Sequence, residues 1–372
     1  MANDIENYID ILIESIASCQ SRGDKFFPQG IFPSHRQNKY LFYKRPDTNI
    51  FYTATIVFIL NQIKHKVSKK SQAIVEDITQ KAIKNYPDFQ NKDGLKTYNF
   101  WQTKPTNHFP NGFIFKRLDH FRIPDDIDDT ALLYLTLPHS KEDVVWLKEK
   151  LKLHTSPEAS VALTSRGGIY STWFGKNMPI EFDVCALCNL MYLFEKHQLP
   201  YNEYDEAVFT FLREVILREE YITDAFKVAH NYATTPLIIY HYARLLGDFE
   251  VKKLEVCREK LIQKTRELLD NEKIEIAKVI LETSLMKLCG IKNHTTNNSE
   301  SHGEPFRIGR QTVQNRTANR SELNTYFIAG LLSSYQNPIL YFFAPMKITQ
   351  MEWKCEAHDL ALILENLVVS ST

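Results

Sequence analysis

Long apolar runs recur along this chain, and most follow a short aromatic cluster and a polar connector. The apolar runs are NIFYTATIVFILNQI, DDTALLYLTL, FDVCALCNLMYLF, TTPLIIYHYARLL and HDLALILENLVV. Charged, amphipathic segments such as SQAIVEDITQKAIKNY and EYDEAVFTFLREVIL lie between them. A helix that is apolar on nearly every face must be buried, whereas an amphipathic helix exposes one face to solvent. The pattern therefore predicts alternating buried and surface helices.

The aromatic clusters divide the chain into repeating units. They are LFYK (41–44), YNFW (98–101), YSTWF (170–174), YITDAF (221–226) and LYFF (340–343). The last gap is about twice as long as the others and contains one more helical segment, EKIEIAKVILETSLMKLCG, which brings the expected count to six units. Six pairs of helices predict an all-α fold: one α/α toroid domain over residues 1–372, with about six inner and six outer helices. An open superhelical stack is the alternative, and the uneven repeat lengths favour closure.

One stretch does not follow the repeat. Residues 292–322 are polar and lack apolar periodicity. We expect a long loop inserted into the toroid, and its role, as a flap over a pocket or a disordered segment, stays open.

Composition narrows the class of protein. Only 12 of the 372 residues are Gly, which suits a helical protein. The balance of 45 basic and 45 acidic residues gives no global electrostatic reason to expect nucleic acid as a partner. The sequence contains no run of 18 apolar residues and no secretion signal, and its six cysteines are scattered, so we expect a cytoplasmic chain without a transmembrane segment. Peripheral contact with a membrane and the oligomeric state stay open.

The second apolar run begins with an unusual concentration of acid, IPDDIDDTALLYLTL (123–137). One acceptor is enough to cap a helix, whereas Asp125, Asp126, Asp128 and Asp129 place four carboxylates in five positions. Like charges this close repel one another unless a cation or a shared proton relieves them. At helical spacing Asp126 and Asp129 share a face. The cluster therefore predicts a site at the beginning of an inner helix.

Residues 126–131, Asp-Ile-Asp-Asp-Thr-Ala, resemble the DxDDTA motif of class II terpene cyclases, the group of squalene–hopene cyclase and plant diterpene cyclases. All six residues match, and those enzymes carry the motif in an α/α barrel. The resemblance is confined to the motif, because a convincing tandem of the Gln-and-Trp repeats of triterpene cyclases is missing. The chain has room for one barrel, whereas those enzymes usually have two.

The resemblance implies an isoprenoid cyclase, an isomerase started by protonation of a linear prenyl chain or prenyl diphosphate. By its position in the motif, Asp128 would be the proton donor, supported by Asp126 and Asp129. Aromatic faces stabilise carbocations, and we expect the hydrophobic substrate to contact a larger set of residues. These are Phe100, Trp101, Tyr170, Trp173, Phe174 and Asp183. No cofactor is expected, except Mg²⁺ if the substrate carries a diphosphate.

Other readings of the acidic cluster stay open. Asp125, Asp126 and Asp129 also fit the DDxxD of class I terpene synthases, which bind magnesium, but no second metal motif of that group occurs here. The cluster is also compatible with an acid-rich helix cap. A non-catalytic toroid that binds a lipid or a protein, or a glycan-processing toroid with paired carboxylates, would share the predicted architecture.

Further polar residues lie near the starts of the inner helices. Asp47 and Asp183 occupy corresponding places in their units, and we interpret them first as helix caps. The basic stretch with Arg36, Lys44 and Arg45 either holds a diphosphate or forms an exposed loop. His230 and His241 are candidates for the histidine that hydrogen-bonds the acid. Asn189, in the third apolar run, is a candidate buried polar residue. We expect Cys185 and Cys188 to be two small buried residues of a helix.

Overall fold

The computed structural model describes residues 2–119, 122–155, 168–175, 178, 180–290, 327–330 and 338–371, and it is predominantly helical. The helices run Ala2–Cys19 (α1), Phe51–Ile63 (α2), Lys69–Ile83 (α3), Ile127–Thr136 (α4), Lys141–Leu151 (α5), Val184–Lys196 (α6), Glu203–Leu217 (α7), Glu220–Thr223 (α8), Ala225–Val228 (α9), Thr235–Asp248 (α10), Glu255–Asn271 (α11), Glu275–Gly290 (α12), Pro338–Phe343 (α13) and Glu356–Ser370 (α14). Within these ranges, eleven helices have ten residues or more, against the twelve expected. The predicted loop at 292–322 lies outside the described residues.

Each of the five apolar runs, and the additional segment EKIEIAKVILETSLMKLCG, forms a helix that is largely buried: α2, α4, α6, α10, α14 and α12. These six helices pack in a cyclic order. α2 packs on α4, α4 on α6, α6 on α10, α10 on α12 and α12 on α14, and α14 returns to α2. The central core therefore belongs to helices from both ends of the described chain.

The amphipathic segments form the other long helices, α1, α3, α5, α7 and α11, which bury one face only. α1 packs on α3 and α14, α3 on α2, and α11 on α7, α10 and α12. Their ends are set by local capping. Ser140 begins α5 and Asn202 begins α7 with reciprocal capping boxes, in which the cap accepts from the backbone of Asp143 or Asp205 and that Asp accepts in return.

A small antiparallel sheet accompanies the helices, and the sequence pattern did not predict it. Its strands are Ser34–Asn38 (β1), Tyr43–Asp47 (β2), Phe327–Gly330 (β3) and Gln350–Lys354 (β4), in the order β2-β1-β4-β3. β1 and β2 form a hairpin in which Ser34 is opposite Asp47 and Asn38 is opposite Tyr43. β2 ends shortly before α2, and β4 ends shortly before α14. The sheet thus lies next to the N-terminal ends of two core helices.

A buried ion pair within the hairpin is hydrogen-bonded to the loop that follows α3. Arg36 and Asp47 form a salt bridge with both side chains fully buried, and Arg36 also donates to the backbone oxygen of Pro110 at 2.9 Å. The indole of Trp101 donates to Asp47 at 3.1 Å. Arg36 therefore has a structural partner and is not exposed to hold a diphosphate, while Lys44 is exposed and Arg45 is half-buried.

Candidate active site

The acidic cluster lies at the N-terminus of α4, and its four carboxyls have different surroundings. Asp126 is the N-cap, because its Oδ1 accepts from the backbone amides of Asp128 at 3.0 Å and Asp129 at 2.8 Å. Asp125 instead binds the preceding loop, since its Oδ2 accepts hydrogen bonds from Asn91 at 2.6 Å and Thr97 at 2.5 Å. Two of the four carboxyls are thus accounted for by local structure.

Asp126 and Asp129 are neighbouring buried carboxyls whose ionisations influence each other. Burial is the main cause that raises the pKa of Asp126, to about 8. Burial, reinforced by the charges of Asp126 and Asp128, raises the pKa of Asp129 well above its usual value. Burial thus favours the neutral form of both carboxyls.

Asp128 points away from this pair, towards α6 and α10. Its Oδ1 accepts a hydrogen bond from Nδ2 of Asn189 at 2.6 Å, and its Oδ2 accepts from the hydroxyl of Tyr232 at 2.5 Å. With 9% of its surface exposed, it is the most accessible of the four aspartates, of which Asp129 keeps 2%. Burial raises the pKa of Asp128, while the two hydrogen bonds and the charge of Arg244 oppose that shift.

Arg244 fixes the orientation of the amide that contacts Asp128. Its guanidinium donates to Oδ1 of Asn189 and lies over the rings of Phe58 and Tyr240 at 4.9 and 5.1 Å. With its oxygen engaged, Asn189 turns its NH₂ group to Asp128 and can only donate there. The hydroxyl of Tyr232 can donate or accept a hydrogen bond. Oδ2 is therefore the oxygen of Asp128 that can be protonated and still keep a hydrogen bond to its partner.

The two histidines proposed from the sequence have other contacts. Nδ1 of His230 lies 3.0 Å from the backbone oxygen of Phe226, and Nδ1 of His241 lies 2.7 Å from that of Leu237. Burial lowers the pKa of His230 to about 4 and that of His241 well below its usual value. The donors to Asp128 are therefore an amide and a phenol. Sequence reasoning singled out Asn189 only as a buried polar residue and missed Tyr232, whose connector carries no motif.

The aromatic residues expected to contact a substrate are divided between two places. Phe100 lies near Phe51, with ring centroids 6.5 Å apart, and Phe51 packs edge-on against Tyr232 at 6.0 Å. Trp101 neighbours Phe100 at 5.3 Å. Tyr170, in contrast, is directed to the start of α7, where its hydroxyl donates to Asp205 at 3.0 Å. Phe100 is thus connected to Tyr232 through Phe51. The indole of Trp101 instead binds Asp47, and Tyr170 binds Asp205.

Trp173, Phe174 and Asp183 complete the predicted set. The backbone of Phe174 donates to the oxygen of Asp125 at 3.0 Å, and the indole of Trp173 donates to Glu181 at 2.8 Å. Asp183 is fully buried as the N-cap of α6 and accepts from three backbone amides, so it offers no exposed oxygen to a substrate. Burial and the charge of Asp128 raise the pKa of Asp183 to about 7.

The core helices enclose a cavity of about 10 Å³, counted as the space that the centre of a water molecule can occupy. One water needs about that much. Its walls combine apolar and polar side chains: Phe51, Leu132, Asn189, Tyr232, Tyr240, His241, Arg244 and His358 are among them. Beyond Arg244, Tyr240 donates to Glu365 at 2.5 Å and Lys287 pairs with Glu365 at 3.0 Å. Polar side chains of α6, α10, α12 and α14 are thus connected beside this cavity.

Comparison of the chain with protein-family models, with curated proteins and with solved structures gives no match. The site is therefore interpreted from its own geometry.

The acidic cluster does not fit the class I magnesium site. In that reading Asp125, Asp126 and Asp129 would supply the oxygen ligands. Here Oδ2 of Asp125 and Oδ1 of Asp126 already accept hydrogen bonds from structural donors. Across the described ranges, no group of three or more His, Cys, Asp and Glu side chains is arranged to hold a metal ion. Cys185 and Cys188 are buried thiols within α6.

Proposed function

We propose that this chain is an isoprenoid cyclase of the protonation-initiated type, with Asp128 as the acid. The observation that carries the proposal is the environment of Asp128: a buried carboxyl with a raised pKa, held on both oxygens and directed towards aromatic residues of the core. The resemblance of residues 126–131 to the DxDDTA motif supports the same assignment. On this proposal Asp126 and Asp129 support the acid from the N-terminal turn of α4.

The chemistry needs an acid that is strong and yet protonated at rest. Burial favours the neutral carboxyl of Asp128 before reaction. When the proton passes to an alkene or epoxide of the substrate, the new carboxylate is stabilised by Asn189, Tyr232 and the charge of Arg244. The substrate becomes a carbocation, which cyclises and finally loses a proton, so that substrate and product are isomers. Aromatic faces near Asp128 would stabilise the cation.

The proposed architecture is a closed α/α toroid. The cyclic packing of α2, α4, α6, α10, α12 and α14 supports closure over an open stack, because an open stack would leave its two end helices without each other as neighbours. The five amphipathic helices would form the outer layer.

The size of the central cavity favours a second candidate, a non-catalytic toroid that binds a lipid or a protein. Ligand pockets usually have about 300–1,000 Å³, far more than the 10 Å³ between the core helices. For the cyclase, a substrate must therefore displace side chains that fill the centre. For the non-catalytic toroid, no such displacement is needed, because its binding surface would lie outside the centre.

Turnover assays distinguish the two candidates. The full chain is incubated with geranylgeranyl diphosphate, farnesyl diphosphate and squalene, and the extracts are analysed by mass spectrometry. We expect a cyclic isomer of one substrate from the wild type, and at least a 100-fold slower reaction from Asp128→Asn, since a general acid contributes about 10²–10⁴-fold. Asp125→Asn is the matched control and should lose less activity, because Asp125 binds Asn91 and Thr97 in the loop.

Two outcomes would contradict the proposal. Turnover by Asp128→Asn at the wild-type rate would remove Asp128 as the acid. Absence of product from all three substrates, together with a folded wild type, would leave the non-catalytic toroid as the better account.

A further inference from the structure

Large apolar side chains are exposed in three segments near the β1–β2 hairpin. The hairpin tip contributes Tyr40, Leu41 and Phe42, of which Phe42 is 99% exposed. The second segment contributes Phe113, Ile114 and Leu118, and the third contributes Ile339, Phe342, Phe343, Met346 and Ile348. More than half of the large apolar residues that are exposed in the described part of the chain come from these segments. Concentrated exposure of this kind marks an interaction surface, whereas scattered apolar residues do not.

The three segments adjoin one another. Nδ2 of Asn38, at the end of β1, donates to the backbone oxygens of Ile348 at 2.9 Å and Gln350 at 2.8 Å. On the other side of the hairpin, the guanidinium of Arg45 lies 4.8 Å from the ring of Phe113, and Asn111 donates to the backbone oxygen of Pro46 at 3.2 Å. The exposed residues therefore form one surface around the hairpin, called here the hairpin surface: residues 39–45, 111–119 and 338–350.

The hairpin surface is basic. It carries Lys39, Lys44, Arg45, Lys116, Arg117 and Lys347, and Asp119 is its single acidic residue. The whole chain, in contrast, has equal numbers of basic and acidic residues. Cations have therefore been concentrated where the apolar side chains are exposed.

We propose that the hairpin surface docks on an anionic lipid bilayer. Exposed Phe, Leu and Ile side chains enter the boundary between headgroups and acyl chains, while Lys and Arg side chains remain at the headgroups and attract acidic lipids. A second copy of the chain is a poorer occupant, because two basic surfaces brought together repel each other. The inference is independent of the proposed function.

Vesicle flotation with the full chain tests this proposal. Vesicles of phosphatidylcholine alone are compared with vesicles in which phosphatidylglycerol replaces about a third of the lipid. We expect binding to the anionic vesicles, weaker binding to the neutral ones, and release as salt is raised. The triple variant Phe42→Ser, Phe113→Ser, Phe342→Ser should lower the partition coefficient on anionic vesicles at least tenfold.

Two further variants separate apolar from electrostatic contributions. Lys44→Glu, Lys116→Glu and Lys347→Glu together should remove the preference for anionic lipid. Val145→Ser, Leu153→Ser and Val256→Ser together change exposed apolar residues outside the hairpin surface and should bind like the wild type.

Several results would overturn the proposal. These are no binding of the wild type to anionic vesicles, or an equal loss in the control triple. Another is a dimer of the wild type, seen by analytical ultracentrifugation, that the Phe triple converts to a monomer without any effect of lipid. In that case the occupant is a second copy.

Discussion

The hydroxyl of Tyr232 donates to Oδ2 of Asp128 across 2.5 Å, although 104 positions separate the two residues in the sequence. Asp128 is in the first turn of α4, and Tyr232 lies in the connector that leads into α10. The contact therefore exists only when α4, α6 and α10 are packed together. It also favours the ionised form of the acid, because the hydrogen bond from Tyr232 lowers the pKa of Asp128 against the larger effect of burial.

Tyr232→Phe tests this relationship with little change in shape. The variant leaves Oδ2 of a buried carboxyl without its donor, so we expect the free energy of unfolding at pH 7 to fall by about 1–3 kcal/mol. Urea denaturation measures the loss. Tyr221→Phe is the control, because the Tyr221 hydroxyl is buried with no hydrogen-bond partner in the described part of the chain, and its removal should be neutral or stabilising. Equal losses in both variants would contradict the prediction.

Arg244→Met should raise the pKa of Asp128, since the positive charge of Arg244 lowers it in the native protein. The titration can be followed by carbon NMR of the carboxyl, assigned by the signal missing from Asp128→Asn. Arg258→Met is a matched control, because Arg258 is equally buried but donates to the backbone oxygens of Leu246 and Leu288 at 2.8 Å. That variant should lose stability and leave the titration of Asp128 unchanged. A shift of the same size in both would show that Arg244 acts through general loosening of the core.

Glu181→Gln should change how stability depends on pH. Burial raises the pKa of Glu181 from 4.5 to about 7. Between these values the unfolded chain is ionised and the folded protein is not, so this group makes the native state less stable as pH rises from 4.5 to 7, with no further change above. The variant retains an acceptor for Trp173 and should gain on the order of 3 kcal/mol relative to the wild type over that interval. Glu203→Gln, at an exposed position in α7, should show no such gain, and thermal melts at pH 4.5, 6 and 8 provide the comparison.

Asp47→Asn should strongly destabilise the hairpin end of the protein. It leaves the fully buried charge of Arg36 without its carboxylate, a change that costs about 3–5 kcal/mol. Glu76→Gln breaks the exposed pair with Lys64 and should cost no more than about 1 kcal/mol. Chemical denaturation of both variants gives the comparison, and similar small effects would mean that Arg36 finds another partner.

The helical part of the fold was accessible from the sequence because it depends on local periodicity. The segment NIFYTATIVFILNQI contains α2, and DDTALLYLTL contains all but the first residue of α4, with every residue of α4 buried. The sheet was not accessible, because β1 (SHRQN) and β2 (YKRPD) lack apolar alternation and β1 pairs with a strand more than 300 residues later. Strands this polar are stabilised by tertiary contacts, which a local pattern does not contain.

The candidate site was predicted in part for the same reason. The motif located Asp128, and helical spacing placed Asp126 and Asp129 on one face, where their ionisations influence each other. Their partners come from distant elements. Neither the choice of Tyr232 over the histidines nor the direction of Tyr170 towards Asp205 follows from any local pattern.

The cyclic packing of the core helices has a consequence for biosynthesis. α2 needs α14 as a neighbour, and β1 needs β4, yet about 300 residues are translated between the members of each pair. At about 5–20 residues per second, the buried face of α2 waits roughly 15–60 s for its last partner. Throughout that time the nascent chain exposes surface that the finished protein hides, so we expect a chain terminated before residue 356 to be prone to aggregation.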